Sequence, residues 1–258
     1  GACVWKKSDD DNPLGEGQIA KRHKRYRTVL SKLIVVGKTG SYLGLTENGD
    51  VQVYDQKTKK IKQRINFNQK GLRASDICYL TASRVCAIAV RKEDAPAFSG
   101  IYFYEPLVDW EKAEVEIKFE GRDSPPTSLA VFTGSLPAPT PSSQTTETKT
   151  LMMIGTRDGF VRFGTLDDFV YDASKTLTLR PNGCTSTITC IDYIAEAQSV
   201  VCGSMDGKVY LIPFTLLGNI VNGLEFYHDK RTVRVFRNHS RPVFSFQYLS
   251  ESHSIVSA

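Results

Sequence analysis

The feature that most constrains this chain is a corner that recurs along it. The segments Leu43-Gly44-Leu45-Thr46-Glu47-Asn48-Gly49, Met153-Ile154-Gly155-Thr156-Arg157-Asp158-Gly159 and Val201-Cys202-Gly203-Ser204-Met205-Asp206-Gly207 share one pattern. Each begins apolar, reaches Thr or Ser, passes one variable residue and ends on Asn-Gly or Asp-Gly. Alternating runs follow, at Val51/Val53, Val161/Phe163 and Val209/Leu211. Asn-Gly and Asp-Gly supply the positive φ angles of a tight hairpin turn. The flanking runs are those of buried and half-buried strands. Each segment therefore reads as a β-hairpin.

A fourth, degenerate copy has the buried-strand run Val85–Val90, a longer connection, and then Gly100-Ile101-Tyr102-Phe103-Tyr104. A strand-like segment precedes each hairpin: Leu33–Val36, Ala74–Leu80, Ser128–Phe132 and Thr187–Ile194. Another follows: Ile61–Phe67, Glu114–Glu120, Thr176–Leu179 and Thr232–Phe236. The anchoring glycines Gly49, Gly100, Gly159 and Gly207 lie 51, 59 and 48 residues apart. The long interval holds 134–150, rich in Pro, Ser and Thr, which reads as a loop inserted between two strands. Helical signal is confined to Ile19–Leu30, which reads equally well as a basic strand. Four-stranded antiparallel units at this period predict an all-β chain forming a single β-propeller domain over 1–258.

The Ser/Thr-x-Asp-Gly corner followed by an alternating strand resembles the middle of a WD repeat. Asn238-His239-Ser240-Arg241-Pro242-Val243-Phe244-Ser245-Phe246 resembles that repeat's opening and first strand, and Ser254–Ala258 its second strand. The Trp-Asp dipeptide is absent, with Tyr54-Asp55 nearest to it, and Asn238-His239 stands where the family has Gly-His. The resemblance implies a divergent WD-like propeller whose ring closes with strands from both ends. On that reading residues 1–6 and 254–258 share one closing blade, and the strand of Trp5 pairs with Ser254–Ala258. About five units are visible. A five-bladed ring and a piece of a seven-bladed ring both satisfy the pattern.

Composition narrows the role. No apolar run approaches the ~20 residues of a membrane-spanning helix. The 33 Lys and Arg against 28 Asp and Glu leave a net charge of +5, too mild to imply nucleic acid by itself. Six cysteines are scattered without a C-x-x-C pair, as in a reducing cytoplasmic or nuclear setting. The chain opens on Gly1-Ala2-Cys3 without Met, as a fragment or processed chain does.

Chemistry-bearing motifs are sparse. Gly37-Lys38-Thr39 ends like a phosphate-binding loop, but Lys32 stands where the first glycine belongs, so a strand-to-strand turn is expected. The histidines His23, His228, His239 and His253 show no metal-ligand spacing. No G-x-S-x-G occurs, and Thr156 and Ser204 are expected to make structural bonds within their turns. Asp167-Asp168 reads as a solvated loop pair. Ser124-Pro125 and Thr140-Pro141 have the form of proline-directed phosphorylation sites.

A propeller without catalytic groups is a rigid disc whose loops present a binding surface. The expected role is a non-catalytic protein-interaction scaffold, needing no cofactor or metal, in a multi-subunit intracellular assembly. By position in the repeat its contact face includes Lys70, Arg157, Arg180, Met205 and Arg241. Arg and Met are enriched at protein interfaces. The alternative is a phosphate-reading module for RNA or membrane phospholipid, built on Lys21, Arg22, Lys24, Arg25 and Arg27.

Overall fold

The computed structural model describes residues 29–37, 40–67, 71–81, 84–92, 99–105, 111–118, 125–135, 148–167, 170–171, 177–213, 233–237 and 239–258. They form successive antiparallel sheets. The first contains β1 (Leu30–Val36), β2 (Ser41–Thr46), β3 (Val51–Asp55) and β4 (Ile61–Ile65), paired in that order. The second contains β5 (Arg73–Leu80), β6 (Val85–Arg91), β7 (Gly100–Glu105) and β8 (Glu111–Lys118). The third contains β9 (Pro126–Ser135), β10 (Thr148–Thr156), β11 (Val161–Asp167), β12 (Val170–Tyr171) and β13 (Leu177–Leu179), the last two both pairing with β11. The fourth contains β14 (Ile188–Ile194), β15 (Ser199–Ser204), β16 (Val209–Pro213) and β17 (Arg234–Phe236). A two-stranded sheet of β18 (Phe246–Leu249) and β19 (Ser254–Ser257) follows. No α-helix occurs among the described residues. The chain is all-β and built from repeated antiparallel units, an arrangement consistent with a β-propeller.

The core lies between sheets, and period-2 alternation divides each central strand between two neighbours. In β6, Cys86, Ile88 and Val90 pack with Leu43, Leu45, Val51 and Val53 of the first sheet. Val85, Ala87 and Ala89 point the other way, against Leu129, Met152 and Ile154 of the third. In β10, Leu151 and Met153 face Ile188, Val200 and Cys202 of the fourth sheet, while Met152 and Ile154 face the second. Val201 and Val209 pack with Val243, with Phe246 and Ile255 against them. A strand buried on both faces reads as an unbroken apolar run, which is why Val85–Val90 shows no alternation. The outer face of the first sheet leaves Leu33 and Val35 exposed, and the last sheet leaves Leu249 and Val256 exposed.

Several expectations are corrected. Only the glycine of each corner has positive φ: 78° at Gly49, 85° at Gly159 and 79° at Gly207, whereas Asn48, Asp158 and Asp206 do not. The turn is the longer kind that ends in a left-handed glycine. Gly100 is no counterpart of these three. It opens β7 opposite Val90 without positive φ, because the lengthened connection removes the need for a tight corner. The inserted loop is shorter than 134–150, since Lys149 pairs with Gly134 and Thr150 with Thr133. Asp167 closes β11, paired with Val170, instead of lying in a loop. Leu30 belongs to β1, and the first strand of the last unit starts at Phe246. The Gly37 segment is the β1–β2 connection, flanked by the pair Val36 and Ser41. The predicted pairing of Trp5 with Ser254–Ala258 involves residues outside those described, as do Ser124, Thr140 and Asp168.

Candidate functional site

The three corners lock the first, third and fourth sheets to the segments that follow them. In each, the hydroxyl of Thr46, Thr156 or Ser204 closes its own turn. Asp50 N–H donates to Thr46 Oγ1 at 3.0 Å, and Thr156 Oγ1 and Ser204 Oγ donate to Asp158 and Asp206. The glycine then lies against the backbone leading into the following sheet. A β-carbon on Gly49 would come within 2.8 Å of Arg73 Cβ, and one on Gly159 within 2.6 Å of the Cys184 carbonyl oxygen. On Gly207 it would overlap the His239 carbonyl. Backbone bonds cross the same seams, from Ala74 N–H to Gly49 O at 2.9 Å and from Val243 N–H to Ser204 O at 3.2 Å. The His239 ring meets Ser257 Oγ at 2.6 Å, tying the last lead-in to β19.

A second set of contacts runs along the first strands. In β1, β5 and β14 the pairing register slips between Leu30 and Lys32, Ala74 and Asp76, and Ile188 and Cys190. In β9 it slips opposite Gly155 and Thr156. Each slip leaves one hydroxyl residue without an opposite partner: Ser31, Ser75, Thr189 and Thr127. A bulge of this kind re-aims a side chain. Ser75 Oγ donates to Pro126 O at 2.7 Å, Thr127 Oγ1 to Ile188 O at 2.5 Å, and Thr189 Oγ1 to Val243 O. Each of these acceptors lies in the next sheet or in its lead-in. The hydroxyls thus stitch consecutive first strands together.

One residue deeper, Asp76 gathers three partners. Its carboxylate accepts Lys32 Nζ at 2.6 Å, Ile77 N–H at 2.7 Å and Leu129 N–H at 2.7 Å. Burial is the largest single influence on the Lys32 ammonium and works against it, but the Asp76 charge and hydrogen bond, with smaller contributions from Cys78 and Asp192, together hold Lys32 above its ordinary value of 10.5. Burial pushes the nearby thiols up, Cys78 to about 12 and Cys190 to about 11, so both stay protonated at neutral pH.

These strands and corners surround a cavity of about 350 Å³ lined by the four bulge hydroxyls, Ser31, Ser75, Thr127 and Thr189. Arg73, Arg91 and Glu47 add charge to its lining, and Met205 and Phe244 add apolar surface at 47% and 65% exposure. Arg73 and Arg91 are register partners across β5 and β6. Arg73 Nη2 also donates to Glu47 O at 3.1 Å.

The residues expected from sequence fall unevenly around this opening. Met205 lines it. Arg157 and Met205 occupy equivalent places in their corners and are joined through Thr187, whose hydroxyl donates to Arg157 O at 2.9 Å and whose carbonyl accepts Met205 N–H at 2.8 Å. Arg241 is exposed, its backbone against Gly207. Arg180 stands apart, half-buried with its guanidinium 4.1 Å from the centre of the Phe160 ring. Lys70 lies outside the described residues, as does the whole basic segment Lys21, Arg22, Lys24, Arg25 and Arg27. Sequence reasoning missed Arg73, Arg91 and the bulge hydroxyls, whose common position emerges only once the first strands are aligned.

Among the described residues no group of three or more His, Cys, Asp or Glu is placed to hold a metal ion. None of their helices is long and apolar enough to cross a membrane. No protein-family model matches the chain, and no curated protein matches it.

Proposed function

We propose that the chain is a WD-like β-propeller acting as a protein-interaction scaffold, with its contact face at the Ser/Thr-x-Asx-Gly corners. The observation that carries this reading is the convergence of equivalent corner residues beside one cavity. Glu47 and Met205 contribute to its lining, and Arg157 is bonded to Thr187, another lining residue. Rigid sheets linked by hydroxyl and backbone bonds hold these residues in fixed relation, and loops on a rigid frame are where recognition concentrates. An exposed Met and Arg within one hydrogen-bonded chain of contacts fit the composition of interface centres. The apolar faces left open on the first and last sheets support ring closure, which would cover both.

The test is an affinity purification comparing the full chain with a Met205→Asp/Arg157→Glu variant. Circular dichroism and a melting curve verify that the variant is folded. Selective loss of co-purifying proteins from the folded variant is expected. An unchanged set of partners would refute the proposed face.

A further inference from the structure

Basic residues crowd one hairpin of the first sheet. From Asp55 to Ile65 the sequence holds five cations and one acid. These 11 residues carry a net charge of +4, against +5 for all 258. Lys57, Lys59, Lys60, Lys62 and Arg64 are all exposed. Asp55 is occupied locally. One carboxylate oxygen accepts the N–H groups of Lys57 at 3.0 Å and Thr58 at 2.7 Å, and the other lies 3.7 Å from Lys62 Nζ. The acid thus shapes the turn and offsets little of the charge around it. Lysines on an edge strand guard it against pairing with another chain. That role accounts for Lys62 and Arg64 on β4, but not for Lys57, Lys59 and Lys60, which precede the strand.

The hairpin is set apart from the corners. β4 is the edge of its sheet farthest from β1, and β3 runs from the Asn48-Gly49 corner to Asp55. The basic turn therefore lies at the opposite end of the sheet from the contact face proposed above. Ring closure over Leu33 and Val35 on β1 would leave this outer edge open.

We propose that this hairpin binds the surface of an anionic phospholipid bilayer. Four of its five cations are lysines, compact charges on flexible stems that suit a diffuse field of headgroups. Lysine is depleted at protein–protein interfaces, which argues against a protein occupant. Single-stranded nucleic acid calls for open ring faces on which bases stack. The rings beside this hairpin are half-buried and engaged: Lys59 Nζ lies 4.8 Å from the centre of the Tyr42 ring, and the Tyr54 hydroxyl donates to Gln52 at 2.6 Å. Ile61, 39% exposed between Lys60 and Lys62, offers an aliphatic contact for the boundary between headgroups and acyl chains. Lysine stems beside it lie along apolar surface while their ammonium groups stay among the headgroups. Each cation held near an anionic leaflet strengthens attachment about fivefold. A basic patch without an acyl anchor gives reversible binding. In that pose the corner face points away from the bilayer.

The experiment is co-sedimentation of the full chain with phosphatidylcholine vesicles containing about 30% phosphatidylserine, against vesicles of phosphatidylcholine alone. Binding to the anionic vesicles is expected to be at least about tenfold tighter and to fade as salt is raised. Lys57→Gln/Lys60→Gln/Lys62→Gln should weaken it about a hundredfold while leaving the melting curve in place. Lys59 is kept because it covers Tyr42. Ile61→Gln, which alters no charge, should cost about threefold. The matched control Lys21→Gln/Arg22→Gln/Lys24→Gln should stay within about threefold of the parent chain.

Equal binding to the two kinds of vesicle, or a loss confined to the 21–24 variant, would overturn the proposal. So would tighter binding of polyuridine or polyglutamate through the same three lysines. Met205→Asp/Arg157→Glu should bind vesicles as the parent chain does, so bilayer attachment and the scaffold reading stand or fall separately.

Discussion

Asp76 and Leu129 are bonded across two sheets: the carboxylate on β5 accepts the backbone N–H of β9 at 2.7 Å. The other carboxylate oxygen takes Lys32 of the first sheet at 2.6 Å. One buried side chain thus connects three consecutive sheets. Asp76→Ala removes a partner from Lys32 and from two amides, Ile77 and Leu129. It is expected to lower the unfolding free energy by about 2–4 kcal/mol. Lys32→Met should cost less, about 1 kcal/mol, because Asp76 keeps its two amide donors and Lys32 is partly exposed. Urea unfolding of the two variants measures the order. A Lys32→Met loss larger than that of Asp76→Ala would contradict this account.

The same pair sets a pH dependence. Folding raises the Lys32 pKa above 10.5, so its contribution is complete below that value. It fades as pH climbs through the higher folded value. The difference in melting temperature between the chain and Lys32→Met is expected to hold steady from neutral pH to about pH 10, then to close. A gap that widens in alkali would reverse the sign.

The corner glycines separate two effects. At Gly159 a methyl group meets both positive φ and the Cys184 carbonyl at 2.6 Å, whereas at Gly183 φ is 69° but nothing lies within 4 Å. Gly183→Ala should cost only the conformational penalty, about 1 kcal/mol. Gly159→Ala adds a backbone collision and should cost at least about 2 kcal/mol. Thermal melts of the two variants, run side by side, check the difference.

The bulge hydroxyls are open to a conservative test. Thr127→Val keeps the branch and removes the bond to Ile188 O. A loss of about 1–2 kcal/mol is expected. Thr127→Ser keeps the donor and should retain most of the stability. Equal losses in both variants would show that the methyl, not the hydroxyl, matters at this seam.

The hairpins were legible because a left-handed glycine and a turn-closing hydroxyl are local signals, complete within seven residues. The apolar runs of β6, β10 and β15 were legible for a related reason: burial on two faces removes alternation. The bulges were not. Ser31, Ser75, Thr127 and Thr189 look like ordinary polar strand residues, and the acceptors that Ser75, Thr127 and Thr189 reach across the seams belong to another sheet or its lead-in. Asp76 likewise resembles any acid in an alternating strand, since its amide partner Leu129 is 53 positions away. Arg73 and Arg91 stand at opposite ends of a hairpin, so only the register of β5 with β6 brings them together. Gly100 misled because its spacing fits while its conformation does not.

The two-sided strands carry a consequence for how this chain can change. Removing one residue from the middle of β10 would present to the second sheet the side chains shaped for the fourth, and the reverse. Both contacts would fail at once, although no apolar residue had been exchanged for a polar one. Length variation is therefore confined to the connections, while a central strand can alter its contents only residue by residue in place.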